Sequence, residues 1–130
     1  MIVADSDVLI DALRGREPAK SRIAAEIRKG TLATTSVNVF ELFSGVKDDI
    51  HRVKVERLLA AMVLLPLDEE AGIAAAETRK TLESNGIGIG MADYLIAGVC
   101  LSRSVPLLTR NHNHFGRVPG LTLGDLSVTE

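Results

Sequence analysis

The sequence predicts an α/β fold in which a central, mainly parallel sheet of four to five strands lies between two layers of helices. Short apolar runs rich in β-branched residues alternate with longer segments whose apolar residues recur at helical spacing. Strands that alternate with helices form βαβ units, which place helices on both faces of a parallel sheet. A length of 130 residues suits one domain, so we expect a single domain over residues 1–130.

The first half of the chain contains two predicted strands and four predicted helices. An apolar run leads to Asp5 and precedes residues at helical spacing, so we expect a strand that ends there and a helix capped at Ser6 or Asp7. Gly30 follows two basic residues, which is typical of a helix C-terminus. In chain order we expect a strand at 2–5, a helix ended by Gly15, a helix with Pro18 in its first turn, a strand at 31–35, a helix capped by Ser36 and ended near Gly45, and a helix at 49–62.

The second half contains two further strands, two helices and a candidate fifth strand. Three glycines at alternate positions between 86 and 90 favour a loop, because glycine at that density does not sustain a regular element. In chain order we expect a strand at 63–67, a helix capped by Asp68 from Ala71 to about Leu82, a loop at 84–90, a helix from Met91 to about Ser102, a strand at 105–109, and the candidate fifth strand at 121–123.

Composition and charge limit the functions that the chain can have. The net charge of −2 is unusual for a protein that binds nucleic acid through phosphates alone, so such a function needs a local basic patch or metal ions. An aromatic content of 3% argues against a base-stacking surface. The single cysteine, Cys100, forms no intrachain disulfide, and neither a signal peptide nor a membrane-spanning run is present. We expect a soluble, cytoplasmic protein with no membrane association.

Four oxygen-bearing side chains stand where an open α/β sheet places its functional site, beyond the carboxyl ends of the strands. Asp5 ends the first strand, Asn111 follows the fourth, Glu41 lies in the helix after the second, and Asp93 begins the most apolar helix. If these groups meet, they form a site for a hard cation such as Mg²⁺. Each also has a structural interpretation: a helix cap, a turn residue, a solvated acid or an acid that complements a helix dipole.

Four segments resemble, in order, the four motifs of PIN-domain nucleases. They are IVADSDVLI at 2–10, SVNVFELFSG at 36–45, GMADYLIA at 90–97 and LLTRNHNHF at 107–115. Each motif alone is a weak signal, but the ordered set covers nearly the whole chain. The total length is similar to that of the VapC-type toxins of toxin–antitoxin pairs. The resemblance therefore implies a PIN-like fold and a metal-dependent endoribonuclease that hydrolyses RNA.

By this resemblance, Asp5, Glu41 and Asp93 are the acidic ligands of Mg²⁺ (or Mn²⁺), and Asn111 completes the catalytic set. Many members have aspartate where this chain has Asn111, and an amide brings no negative charge, so the sequence leaves open whether one metal or two are bound.

Several neighbouring residues have supporting roles by the same resemblance. Thr109 and Ser6 would hydrogen bond to the carboxylates and orient them. Asp7 is interpreted first as a helix cap and second as an auxiliary ligand.

Basic residues near the site have two interpretations each. Arg14, Arg16, Arg110 and Arg117 are either solvated or bind flanking phosphates. For His112 and His114 we favour loop or partner contacts over a role as proton shuttles.

The resemblance also implies a cognate antitoxin and a homodimer. An antitoxin would place an amphipathic segment in a groove between the helices at 16–29 and 36–62. These helices carry more apolar side chains than a small core needs, although core packing is the alternative: Ile23, Ile27, Phe43, Val46, Ile50 and Val53.

Two other functions remain open at this point. The Asp5-Ser6-Asp7 sequence after a strand also resembles the opening of haloacid-dehalogenase-like phosphatases, in which the first aspartate is the nucleophile. Those chains carry a later acidic pair, which we do not find. The other alternative is a catalytically weak PIN-like module that binds RNA or protein, for which Asn111 is the only indication.

Overall fold

A computed structural model describes residues 1–127 and shows the predicted three-layer α/β/α architecture. The last three residues of the predicted domain, 128–130, lie outside the described part. None of the described helices is long and apolar enough to cross a membrane. In chain order the elements are β1 (Ile2–Ala4), α1 (Ser6–Leu13), α2 (Ala19–Lys29), β2 (Leu32–Thr35), α3 (Ser36–Ser44), α4 (Asp49–Ala60), β3 (Val63–Leu65), α5 (Glu69–Ser84), α6 (Met91–Arg103), β4 (Leu107–Leu108) and α7 (His112–Phe115).

The sheet has the order β3-β2-β1-β4, and each neighbouring pair is parallel, as predicted. β1 therefore lies between β2 and β4, with Val3 opposite Ala33 on one side and Leu107 on the other. The backbone N–H of Asp5 continues this pairing by donating to Leu108 O at 2.9 Å. Because all four strands run the same way, the residues that follow them share one edge of the sheet, called the carboxyl edge below.

The sheet separates two hydrophobic cores because successive strand residues point to opposite faces. Val3, Ala33 and Leu107 face a core built with α5 and α6. Ile2 and Leu108 face a second core that includes residues of α1 and α2. Both faces of each central strand are therefore buried, which explains why these strands read as continuous apolar runs.

Two helices have N-caps other than the predicted ones and therefore begin earlier. α1 is capped by Asp5 rather than by Ser6 or Asp7. α3 is capped by Thr35 rather than by Ser36. In both places the strand passes directly into the helix, and the last extended residue supplies the cap. This difference matters for the site, because it puts the capping side chains at the carboxyl edge.

The chain beyond β4 differs from the prediction in two elements, the candidate fifth strand and a short helix. The candidate fifth strand at 121–123 forms only one parallel bridge, between Leu123 and Leu107. The short helix α7 was not predicted, because four residues with one apolar side chain carry no helical periodicity.

α5 and α6 approach each other closely at Gly98. A Cβ atom at this position would lie 2.4 Å from Ala71 O and 2.7 Å from Ala75 Cβ. Atoms cannot approach this closely, so a side chain at this position would force one helix to move. Glycine at position 98 therefore permits the contact that α6 makes with α5.

We therefore expect Gly98→Ala to lower the free energy of unfolding by about 1–3 kcal/mol, because the added methyl group overpacks the interface. Gly72→Ala is the matched control, since a Cβ at Gly72 in α5 meets no atom within 4 Å. Alanine has a greater helix propensity than glycine, so Gly72→Ala should raise the free energy of unfolding by up to about 1 kcal/mol. Urea denaturation measures both, and equal stabilities of the two variants would contradict this packing.

Candidate functional site

The side chain of Asp5 lies at the centre of the carboxyl edge and is only 7% exposed. Its Oδ1 accepts hydrogen bonds from Ser6 N at 2.8 Å and from Asn38 Nδ2 at 3.1 Å. Its Oδ2 accepts one from the hydroxyl of Thr109 at 2.7 Å. These donors come from α1, α3 and the residue after β4, so three parts of the fold hold the carboxylate in one orientation.

Glu41 is connected to Asp5 through Ser6 and Asn38. The Ser6 hydroxyl donates to Glu41 Oε1 at 2.8 Å. Asn38 Nδ2 lies 2.9 Å from Ser6 Oγ and 3.5 Å from Glu41 Oε1, in addition to its contact with Asp5. Two carboxylates that are far apart in the sequence are thus brought together around the same polar groups.

Asn38 is a site residue that sequence analysis missed. It is completely buried, and its Oδ1 accepts from the hydroxyl of Thr35 at 2.7 Å, which directs the amide N–H groups toward the carboxylates. Two signals could have identified it. Asn38 precedes Glu41 by one helical turn, so both lie on one face of α3, and it follows Thr35 at the spacing of a capping box.

Asp7 lies next to this pair and does not cap α1. Its Oδ2 accepts from the backbone N–H of Arg110 at 3.1 Å. Its Oδ1 is buried and has no hydrogen-bond partner among residues 1–127. A buried carboxylate oxygen without a donor is costly, and it is a group that a cation would satisfy.

Burial, together with the nearby carboxylates, raises the pKa of Asp5 from 3.8 to about 6. Burial is the largest cause, and the negative charge of Asp7 is the next; hydrogen bonds from Thr109 and Ser6 act in the opposite direction, and the charge of Glu41 raises the pKa further. Burial also raises the pKa of Asp7. The donor set consists of hard oxygen atoms with excess negative charge, and this fits Mg²⁺ or Mn²⁺.

Asp93 lies in the first turn of α6, and its Oδ2 is 2.8 Å from His114 Nδ1. His114 was expected in loop or partner contacts, and the structure places it on this carboxylate instead. The loop before α6 is fixed by the hydroxyl of Tyr94, which accepts from Ile89 N at 3.0 Å. Arg117 also holds this loop, by donating to Gly88 O at 3.1 Å.

The structure links Asp5 to Glu41 through Ser6 and Asn38, whereas Asp93 contacts His114. Among residues 1–127 no group of three or more His, Cys, Asp or Glu side chains is arranged to hold a metal ion. The ligand set of Asp5, Glu41 and Asp93 therefore stays a prediction.

Asn111 acts as the N-cap of α7, and its Oδ1 accepts from His114 N at 3.3 Å. Its own N–H donates to Thr109 Oγ1 at 3.0 Å, and this hydroxyl in turn donates to Asp5. Asn111 is therefore connected to the site through Thr109, and its direct participation in catalysis stays a prediction.

The four arginines near the site differ in what they contact. Arg16 and Arg110 both pair with Asp11, at 3.9 and 3.1 Å, and Arg117 holds the loop before α6. Arg14 is exposed and lines a cleft that also contains Glu41. His112 is exposed.

Comparisons with known proteins identify relatives over nearly the whole chain. The model of the PIN domain family matches residues 2–121. Ribonuclease VapC10 of Mycobacterium tuberculosis is 35% identical over 115 residues, which cover 88% of this chain and 86% of the relative. The tRNA(fMet)-specific endonuclease VapC of Salmonella typhimurium is 25% identical over 125 residues, covering 93% of this chain and 94% of the relative.

A solved structure has the same fold. VapBC2 from Rickettsia felis, bound to a DNA fragment from its promoter, matches with a TM-score of 0.84 and 22% sequence identity. The match covers 95% of this chain and 98% of that chain. At this identity the likeness establishes the three-layer fold.

The raised pKa of Asp5 predicts how stability depends on pH in metal-free buffer. Between about pH 4 and 6 the unfolded chain has released the Asp5 proton while the folded chain still binds it, so the free energy of unfolding falls as pH rises. The slope from this group approaches about 1.4 kcal/mol per pH unit. Asp5→Asn removes this loss, because an amide can accept from Ser6 and Asn38 and donate to Thr109 without charge. Relative to wild type, the variant should therefore gain stability across this interval in urea denaturation with EDTA; parallel curves would contradict the assignment.

Proposed function

The chain belongs to the PIN domain family, and we propose that it is a metal-dependent endoribonuclease that hydrolyses RNA phosphodiester bonds, the toxin of a type II toxin–antitoxin pair. The observation that carries this proposal is the buried Asp5 carboxylate, oriented by three donors and joined to Glu41. Relatives that match nearly the whole chain are named as a ribonuclease and as a tRNA(fMet)-specific endonuclease.

The proposed ligands of Mg²⁺ (or Mn²⁺) are Asp5, Glu41 and Asp93. When bound, the ion would lower the pKa of a coordinated water and offset charge on the phosphate. The protein groups around the ligands set their orientation: Thr109 and Asn38 hold the two oxygens of Asp5, and Ser6 holds Glu41. Because these donors are buried or half-buried, they would keep the carboxylates in place while the RNA is bound and released.

On the other side of the site, His114 holds Asp93 Oδ2 at 2.8 Å. One oxygen of Asp93 is thereby directed toward His114, and the other stays available as a ligand. Asn111 helps to hold His114 in position, because its side chain accepts a hydrogen bond from the backbone N–H of His114.

The alternative of a haloacid-dehalogenase-like phosphatase loses its support. The PIN domain model matches residues 2–121, and Asp5 is buried with both oxygens engaged in hydrogen bonds rather than exposed as a nucleophile. The alternative of a catalytically weak binding module is tested by the cleavage experiments below.

We also propose that a cognate antitoxin covers the α3 and α4 surface. Of the expected groove residues, Ile23 is 3% exposed and belongs to the core, so it is not available to a partner. Ile50 and Val53 are 73% and 43% exposed, and Phe40 on α3 is 71% exposed. Exposed apolar side chains on adjacent helices are typical of a surface that binds an amphipathic segment.

A homodimer and a cytoplasmic location are part of the same proposal. Cys100 is buried and free, which suits a reducing compartment.

Asp5→Asn and Asp93→Asn should each lower RNA cleavage by more than about 100-fold, because each removes a charged metal ligand. Cleavage in Mg²⁺ or Mn²⁺ is measured on a gel, and circular dichroism checks the fold. Chelation with EDTA should stop cleavage by wild type, and added Mn²⁺ should restore it. Glu77→Gln, an exposed acid on α5, is the control. Parental cleavage rates for either aspartate variant would refute the ligand assignment.

Asn38→Ala should lower cleavage by roughly 10- to 100-fold, because Asp5 and Ser6 lose a shared donor and Asp5 can rotate away from its position. The same variant should bind Mn²⁺ more weakly in calorimetric titration, which separates a positioning role from a general loss of fold. Asn85→Ala, on an exposed asparagine after α5, serves as the control. Unchanged Mn²⁺ affinity in Asn38→Ala would contradict the positioning role.

A further inference from the structure

A cleft of about 340 Å³ opens beside Glu41 and runs between α1, α3 and α4. The large apolar side chains that line it are Ile10, Leu13, Leu42 and Val55. A second cavity of about 260 Å³ shares Leu13 with the first and extends along α4. Their sizes approach or exceed the lower end of small-molecule sites, and neither cavity is accounted for by the metal-binding groups.

The charged side chains that line these cavities are mostly cationic. Arg14 and Lys47 line the first cavity, and Lys54 joins Arg14 in the second. Within residues 1–127 the side chains of Arg14, Lys47 and Lys54 form no ion pair. This differs from Arg110, whose Nε lies 3.1 Å from Asp11 Oδ2.

Two acids line these cavities, against three cations, and each acid already accepts a hydrogen bond within the protein. Glu41 is the acid among the described residues that line the first cavity, and the Ser6 hydroxyl occupies its Oε1. Asp48 in the second cavity caps α4 by accepting from His51 N at 2.7 Å. A chain with a net charge of −2 thus presents a local basic path that begins at a proposed metal ligand.

We propose that this basic path binds the RNA strand on one side of the bond that is cut, with Arg14 and Lys47 contacting phosphates and the apolar surface contacting the sugar and base between them. The proposal rests on the proposed nuclease function and adds a binding site to it. Ile50 lines the second cavity, but the other exposed apolar side chains of this surface, Phe40 and Val53, line neither cavity. The three cations Arg14, Lys47 and Lys54 therefore favour RNA over a protein helix as the occupant of the path. Phosphate contacts fix position and carry no sequence information, so this cleft would set where the strand lies rather than which sequence is chosen.

The test is the binding of a short fluorescein-labelled single-stranded RNA, followed by fluorescence anisotropy at several salt concentrations. Ca²⁺ replaces Mg²⁺, and a gel checks that the RNA stays intact. The double variant Arg14→Ala, Lys47→Ala is compared with Lys80→Ala, which removes an exposed lysine from α5, a helix that contributes no residue to the cleft. Arg14→Lys retains the positive charge and is a second control.

The double variant should bind about tenfold more weakly, and the slope of log affinity against log salt should fall by about 0.7 for each lost phosphate contact. The loss should be the same for two RNAs of different sequence, while Lys80→Ala and Arg14→Lys keep the parental slope. If wild type cleaves RNA but the double variant binds as Lys80→Ala does, the cleft is not an RNA site and the nuclease function stands. If the double variant instead loses a protein partner and keeps RNA affinity, the RNA proposal is also overturned. Failure of wild type both to bind and to cleave RNA would overturn the nuclease function together with this inference.

Discussion

The placement of one buried carboxylate, Asp5, determines how the rest of the site is built. β1 is an inner strand that lies between β2 and β4, so the residue that follows it is surrounded by the ends of these two strands and by the helices that begin there. The N–H of Asp5 pairs with β4, its Oδ1 caps α1, and its Oδ2 is held by Thr109. The same side chain therefore ends a strand, begins a helix and connects the two parallel strands that meet at the site.

This placement costs stability. A carboxylate that is 7% exposed and close to two other acids is a group that a protein retains only where other interactions offset the cost. Hydrogen bonds to Asp5 offset part of it, and the buried, unpartnered oxygen of Asp7 shows that the offset is incomplete. Such an unbalanced cluster is common at functional sites, where the missing interaction comes from a ligand.

The charge distribution explains how an acidic chain can act on an acidic polymer. Arg16 and Arg110 both form ion pairs with Asp11, and Arg117 donates to Gly88 O in the loop before α6. Arg14 and Lys47, which form no ion pair within residues 1–127, line the cleft beside Glu41. Overall net charge therefore says little about this function, because the local arrangement separates the acids that would hold metal from the bases that would hold phosphate.

The order of strands and helices, the two-sided burial of the sheet and the residues of the four motifs follow from the sequence, because apolar periodicity and helix-ending residues act over short distances. Other features required the tertiary structure: the Asn38 contact with Asp5, the His114 contact with Asp93, and the pairing of Arg110 with Asp11. Each joins residues from different elements, and which elements meet depends on the strand order β3-β2-β1-β4. The position of each helix cap also depended on the fold, since strand pairing keeps the backbone extended up to Asp5 and Thr35 and makes these residues the caps. Local sequence thus determined what the elements are, and the packing of the sheet determined which side chains meet at its carboxyl edge.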